Sequence, residues 1–132
     1  EQALEQIARV LRPGGVLLLT MPFLYPVHDA PHDYQRFTAH GLAHRLKSVG
    51  FDLQDNQPTS SCMRSAGVLM SLALAGTAAR LLHPPSVRSL LAPVVLPLIP
   101  LTNLAMWSMD AIVPHWPAFS SGTRARALKR PY

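Results

Sequence analysis

The chain has 132 residues, 48% of them hydrophobic, with 12 Lys/Arg against 7 Asp/Glu and a single cysteine. That length suits one small domain, and a lone cysteine excludes a disulfide framework or a thiolate metal site and makes a reducing, cytoplasmic setting the default. The formal net charge of +5 comes from the second half alone, because residues 61–132 carry seven basic groups and only Asp110, whereas residues 1–60 carry five basic groups and six acidic ones.

Residues 1–11 read as a helix. Leu4, Ile7, Ala8 and Leu11 fall at i, i+3, i+4 and i+7, which places them on one face. Because Glu1 already lies inside this pattern, a longer parent protein is expected. Pro13-Gly14-Gly15 ends the helix, glycine being favoured just past a helix terminus. Residues 15–21 are wholly apolar apart from Thr20, and a run of this kind is expected to be a strand buried on both faces, as in parallel α/β sheets. Pro22 cannot donate to a sheet ladder and stops it. Residues 23–37 read as an irregular loop at the carboxyl end of that strand, where open α/β sheets bind ligands. Thr38 is suited to N-cap a helix over 39–49, with Leu42, Leu46 and Val49 inward. Gly50 then fits the position after the helix, and 51–57 reads as a strand.

Composition changes after residue 60. Residues 65–79 and 89–109 are uncharged apolar runs joined by a connector holding Arg80, His83, Pro84, Pro85 and Arg88. The first run falls short of the roughly 20 residues that cross a bilayer as a helix. The second contains Pro93, Pro97 and Pro100, each removing a helix hydrogen bond. Two spanning helices are therefore not expected. An apolar helical hairpin is, lying in a membrane interface, roofing a hydrophobic pocket or packing on another subunit. Trp107 and Trp116 at the edges of apolar sequence suit a lipid–water boundary, and the methionines Met63, Met70, Met106 and Met109 equally suit a protein contact. The basic residues flank apolar runs and do not interleave with aromatics. That argues against nucleic acid and fits either an anionic membrane surface or a solvated basic tail.

The stretch Gln6-Ile7-Ala8-Arg9-Val10-Leu11-Arg12-Pro13-Gly14-Gly15 is followed by Pro22-Phe23, by His32-Asp33-Tyr34-x-Arg36-Phe37-Thr38, by Gly41-Leu42 and by Gly50-Phe51. In this order and spacing the chain resembles the C-terminal half of class I S-adenosylmethionine-dependent methyltransferases, of the type 11 group. The resemblance covers residues 1–55 and returns weakly in 119–131, where relatives end on a last antiparallel strand. It implies an α/β fold, the C-terminal half of a doubly wound (Rossmann-like) sheet, divided as 1–60 core, 61–116 apolar helical insertion and 117–132 last strand and basic tail. It also implies S-adenosylmethionine as cofactor, held by elements upstream of this chain and by no residue within it. The partner is then a small-molecule or lipid-like substrate, and the location is cytoplasmic, peripheral at a membrane where the apolar hairpin meets one. Composition sets neither the methyl acceptor nor the oligomeric state.

Within that loop, Tyr25, His28, His32, Asp33 and Arg36 are the substrate-side candidates. His32 and Asp33 are the candidates for catalysis, because a His or carboxylate near the methyl group can take the proton of an acceptor. Arg36 can fork onto a substrate carboxylate or phosphate, or pair with Asp33. The bland reading is that His32, Asp33 and Arg36 only brace the loop. His28-Asp29 and His32-Asp33 have the donor types of a metal site, but Pro26 and Pro31 oppose a helix that would align them and no distant ligands complete the sphere, so no metal is expected. His40 and His44 face away from Leu42 and Leu46, as a solvated pair. The glycines of Pro13-Gly14-Gly15 lie in the order helix, turn, strand, the reverse of a phosphate-binding turn. The rival to a methyltransferase is a non-catalytic membrane-associated or protein-interaction module on a degraded methyltransferase fold.

Overall fold

The computed structural model describes residues 2–131. The chain divides into two compact units, one formed by Glu1–Thr59 with Ser121–Tyr132 and the other by Ser60–Ser120.

The first unit is mixed α/β. Its elements are α1 (Gln2–Val10), β1 (Val16–Pro22), α2 (Ala39–Ser48), β2 (Phe51–Pro58) and β3 (Gly122–Lys129). The sheet order is β1-β3-β2, and both pairings are antiparallel. β1 and β2 therefore run the same way, with the last strand interposed. The expected doubly wound half-sheet is corrected here: no two described strands pair in parallel. An apolar run reports burial, not the direction of its neighbour, and the neighbour comes from a segment a hundred residues away. The expectation that β1 is buried on both faces is also corrected. Its residues alternate, and Val16 and Leu18 are 46% and 71% exposed.

The covered face carries the core. Leu42 and Leu46 from α2, Phe51 from β2, and Ala125 and Ala127 from β3 are buried together, with Leu4, Ile7 and Ala8 of α1 and Leu17, Leu19 and Met21 of β1 packed against them. Three local devices hold this arrangement. Thr38 caps α2, its hydroxyl accepting from Gly41 N at 3.0 Å. Gly14 takes a left-handed φ of 74°, and Gly15 admits no side chain, since a Cβ there would lie 2.8 Å from the Arg12 carbonyl. Lys129 is buried and its Nζ donates to the Leu11 carbonyl at 2.8 Å and to the Ala8 carbonyl. A cation at the C-terminal end of α1 both satisfies free carbonyls and complements the helix dipole.

The second unit is a helical hairpin: α3 (Cys62–Leu82), a 3-10 turn at Val87–Leu91 and α4 (Ala92–Asp110). The prolines do not break α4. Pro93 sits in its first turn, where no N–H is needed. Pro97 and Pro100 are three apart, so their missing donors fall on neighbouring positions of one face and the remainder of the ladder continues. The helices pack closely where Gly67 meets Met106, since a Cβ on Gly67 would lie 2.9 Å from Met106 Cβ.

Candidate functional site

The loop after β1, with α1, β1 and α2, lines an open pocket of about 640 Å³. Its floor is apolar: Leu4 and Ile7 from α1, Leu19 and Met21 from β1, Phe37 from the loop and Leu42 from α2. Its rim is polar and comes from the loop alone, with His28, Asp29, His32, Asp33, Tyr34 and Gln35. A mostly apolar pocket with a few convergent polar groups is the usual form of a small-molecule site.

The loop is braced by one charged cluster. Arg36 Nε donates to Asp33 Oδ1 at 2.9 Å, and Arg36 Nη2 donates to Asp33 Oδ2. Nη2 also reaches the Pro26 carbonyl at 3.3 Å, tying the loop's two ends together. His28 Nδ1 lies 3.5 Å from Asp33 Oδ2, and the Tyr25 ring meets His28 edge-on at 5.4 Å. The Arg36 hydrogen bond holds the Asp33 carboxyl below the usual aspartate range. Desolvation opposes that shift, while the charges of Arg36 and His28 reinforce it. A carboxylate so engaged is a weak base and a good anchor. The third guanidinium nitrogen is spare: Arg36 Nη1 is buried without a partner among the described residues.

His32 differs. It is exposed, its Nδ1 lies 3.3 Å from Tyr34 Oη, and both rings line the cavity. The direction of that bond follows the imidazole tautomer.

Of the five residues read as substrate-side from sequence, His28, His32 and Asp33 line the cavity. Tyr25 and Arg36 stand behind it, the first against His28 and the second against Asp33. Asp29, weighed from sequence only as a metal donor, completes the rim with Tyr34 and Gln35. Tyr34 lay inside the quoted motif, and its chemistry becomes visible only through the contact with His32. The floor residues carried a packing signal, not a site signal. His40 and His44 are exposed on α2 and away from the cavity lining. Among the described residues no group of three or more His, Cys, Asp or Glu is placed to hold a metal. The amides of Gly14 and Gly15 are engaged, Gly14 N donating to the Lys129 carbonyl and Gly15 N to the Arg12 carbonyl, both at 2.9 Å. They form a structural turn whose amides are satisfied within the fold.

No protein-family model and no curated protein matches the chain. Among solved structures it is similar to the crystal structure of the [4+2]-cyclase SpnF, at 19% identity and a TM-score of 0.48, over 99% of this chain and 45% of that one. The chain thus spans less than half the length of that protein.

Proposed function

We propose that this chain is the C-terminal part of an S-adenosylmethionine-dependent methyltransferase acting on a small, partly hydrophobic or lipid-like acceptor. The observation that carries the reading is local. The motif His32-Asp33-Tyr34-x-Arg36-Phe37-Thr38, on which the resemblance rests, folds into the polar rim of an apolar cavity at the end of β1. The antiparallel last strand, ending at Lys129, also supports it. In this reading the Asp33–Arg36 pair fixes the loop, His32 takes the acceptor's proton with Tyr34 orienting its ring, and the apolar floor holds the acceptor's body. Residues 61–116 are an apolar insertion before the last strand, and the unit works on the cytoplasmic side.

S-adenosylmethionine supplies an electrophilic methyl group when bound. The described residues do not form its cradle, since none makes a glycine turn between a strand and a helix. The cradle belongs to upstream segments, which also have a place to pair: the outer edge of β1 is unpaired among the described residues, and Val16 and Leu18 are uncovered.

The test uses the complete gene product, membranes and S-adenosylmethionine labelled in its methyl group. Label is expected in an organic-soluble product. Absence of both label and cofactor binding would favour the non-catalytic module.

A further inference from the structure

The hairpin of 60–120 is packed the wrong way round for water. Its buried residues, among those described, are Cys62, Ser65, Gly67, Ala78 and Ala92, all small. Its large apolar side chains point outward, with Leu98, Leu101, Leu104 and Trp107 42% to 63% exposed. A soluble hairpin buries its large residues. Helices in lipid associate through small ones, because lipid solvates the rest.

Three further features agree. First, α3 has 21 residues and α4 has 19, rises of about 32 Å and 29 Å, against a hydrocarbon core of about 30 Å. Second, charge is confined to the ends. Arg64 and Asp110 pair at 2.7 Å at the open end, with Trp107 one turn away, while Arg80, His83 and Arg88 cluster at the closed end. Arg64 and Arg80 lie within one turn of the ends of α3, where a long side chain reaches the interface. Third, four polar side chains of the two helices bond back to their own helix, although the buried Ser71 hydroxyl has no partner among the described residues. Ser65, Thr77, Asn103 and Ser108 each donate to the carbonyl four residues back, at 2.8 to 3.2 Å. That removes donors from contact with hydrocarbon.

We infer that α3 and α4 insert into a lipid bilayer as a spanning helical hairpin. This does not rest on the methyltransferase reading and holds whatever the cavity binds. The hairpin's two ends meet, Ser60 N donating to Ser120 Oγ at 3.4 Å, so both connections to the remaining chain leave from one end. That end is the cytoplasmic one, because in sequence Arg64 opens α3 and Arg124, Arg126 and Arg130 follow α4 within about 20 residues, against Arg80 and Arg88 at the turn.

The test is flotation of the full chain with vesicles of phosphatidylethanolamine and phosphatidylglycerol, followed by concentrated salt and alkaline carbonate. The chain is expected to remain with the vesicles through both washes. Leu101→Arg with Leu104→Arg should reduce the bound share about tenfold or more, as charges at mid-helix oppose insertion, while helicity in detergent is retained. In a Cys62→Ser background, an impermeant maleimide applied to intact cells should label Pro85→Cys in the turn and label Gln54→Cys only after lysis. Release by salt or carbonate would overturn the proposal in favour of a surface-bound hairpin. Equal protection of Pro85→Cys and Gln54→Cys would overturn it in favour of a hairpin held in one leaflet. A soluble, self-associated chain that ignores vesicles would overturn it in favour of a protein–protein face.

Discussion

Asp33 and His32 are neighbours in sequence with opposite environments, and the difference decides what each can do. Asp33 spends both oxygens on Arg36, and its carboxyl is held below the usual value. A group whose folded pKa is depressed stabilises the fold above its unfolded pKa and loses that contribution as pH falls through the folded value. The loop should therefore stay anchored from neutral pH down to about pH 4, the unfolded aspartate value, and loosen only in stronger acid. A carbon-13 titration of the Asp33 carboxyl should give a midpoint below about 3.9; a midpoint at or above it would remove the anchor. In the proposed methyltransferase, His32→Ala should lower turnover by about 100-fold if it takes the acceptor's proton. Asp33→Ala and Arg36→Ala should lower activity more than His40→Ala or His44→Ala, which lie off the cavity; equal losses at all four positions would point to general destabilisation. Lys129 makes a purely structural prediction. Lys129→Met removes a charged donor from the carbonyls of Ala8 and Leu11, a loss of about 2 kcal/mol, readable as a lower urea midpoint and faster amide exchange in α1.

At the level of elements, α2 shows a sequence signal surviving intact. Its cap at Thr38, its buried Leu42 and Leu46 and the left-handed Gly50 were all legible, because each rests on contacts within about one turn. α4 shows one that failed. The three prolines counted against a spanning helix, yet α4 continues through Pro97 and Pro100 for 19 residues, since a missing donor weakens a ladder without severing it when flanking residues are helical. The contact of α3 with α4 yields a paired test. Gly67→Val places methyl groups against Met106 and should destabilise the hairpin by about 1–3 kcal/mol. Gly76→Ala meets nothing within 4 Å and should be neutral or stabilising by up to about 1 kcal/mol. Thermal melting in detergent distinguishes them, and equal effects would mean that Gly67 is not at the helix contact.

For the whole molecule, the α/β unit and the hairpin each expose apolar side chains of their own. Val16 and Leu18 bare one sheet face beside a strand edge that is unpaired among the described residues, and this is where upstream sheet would pair in the methyltransferase reading. The chain by itself is accordingly expected not to bind S-adenosylmethionine. Calorimetric titration giving a micromolar dissociation constant would force a different assignment of the site.

Sequence by itself determined what depends on near neighbours: the helix over α1 with its inward Leu4 and Ile7, the turn at Gly14 and Gly15, the cap at Thr38, and the loop that supplies every polar rim residue. Its two uncharged runs also marked the hairpin, because charge content is a property of composition. Tertiary structure decided the rest. β3 lies between β1 and β2 because ladder partners are chosen across a hundred residues, and no local pattern encodes that choice. Asp33 became an anchor because Arg36 binds both its oxygens and reaches back to Pro26, closing the loop, whereas His32 stays exposed beside Tyr34. The hairpin's outward-facing large residues became visible only when Gly67 and Ala78 were seen to fill its interior. Apolar sequence demands burial but does not say whether protein or lipid provides it.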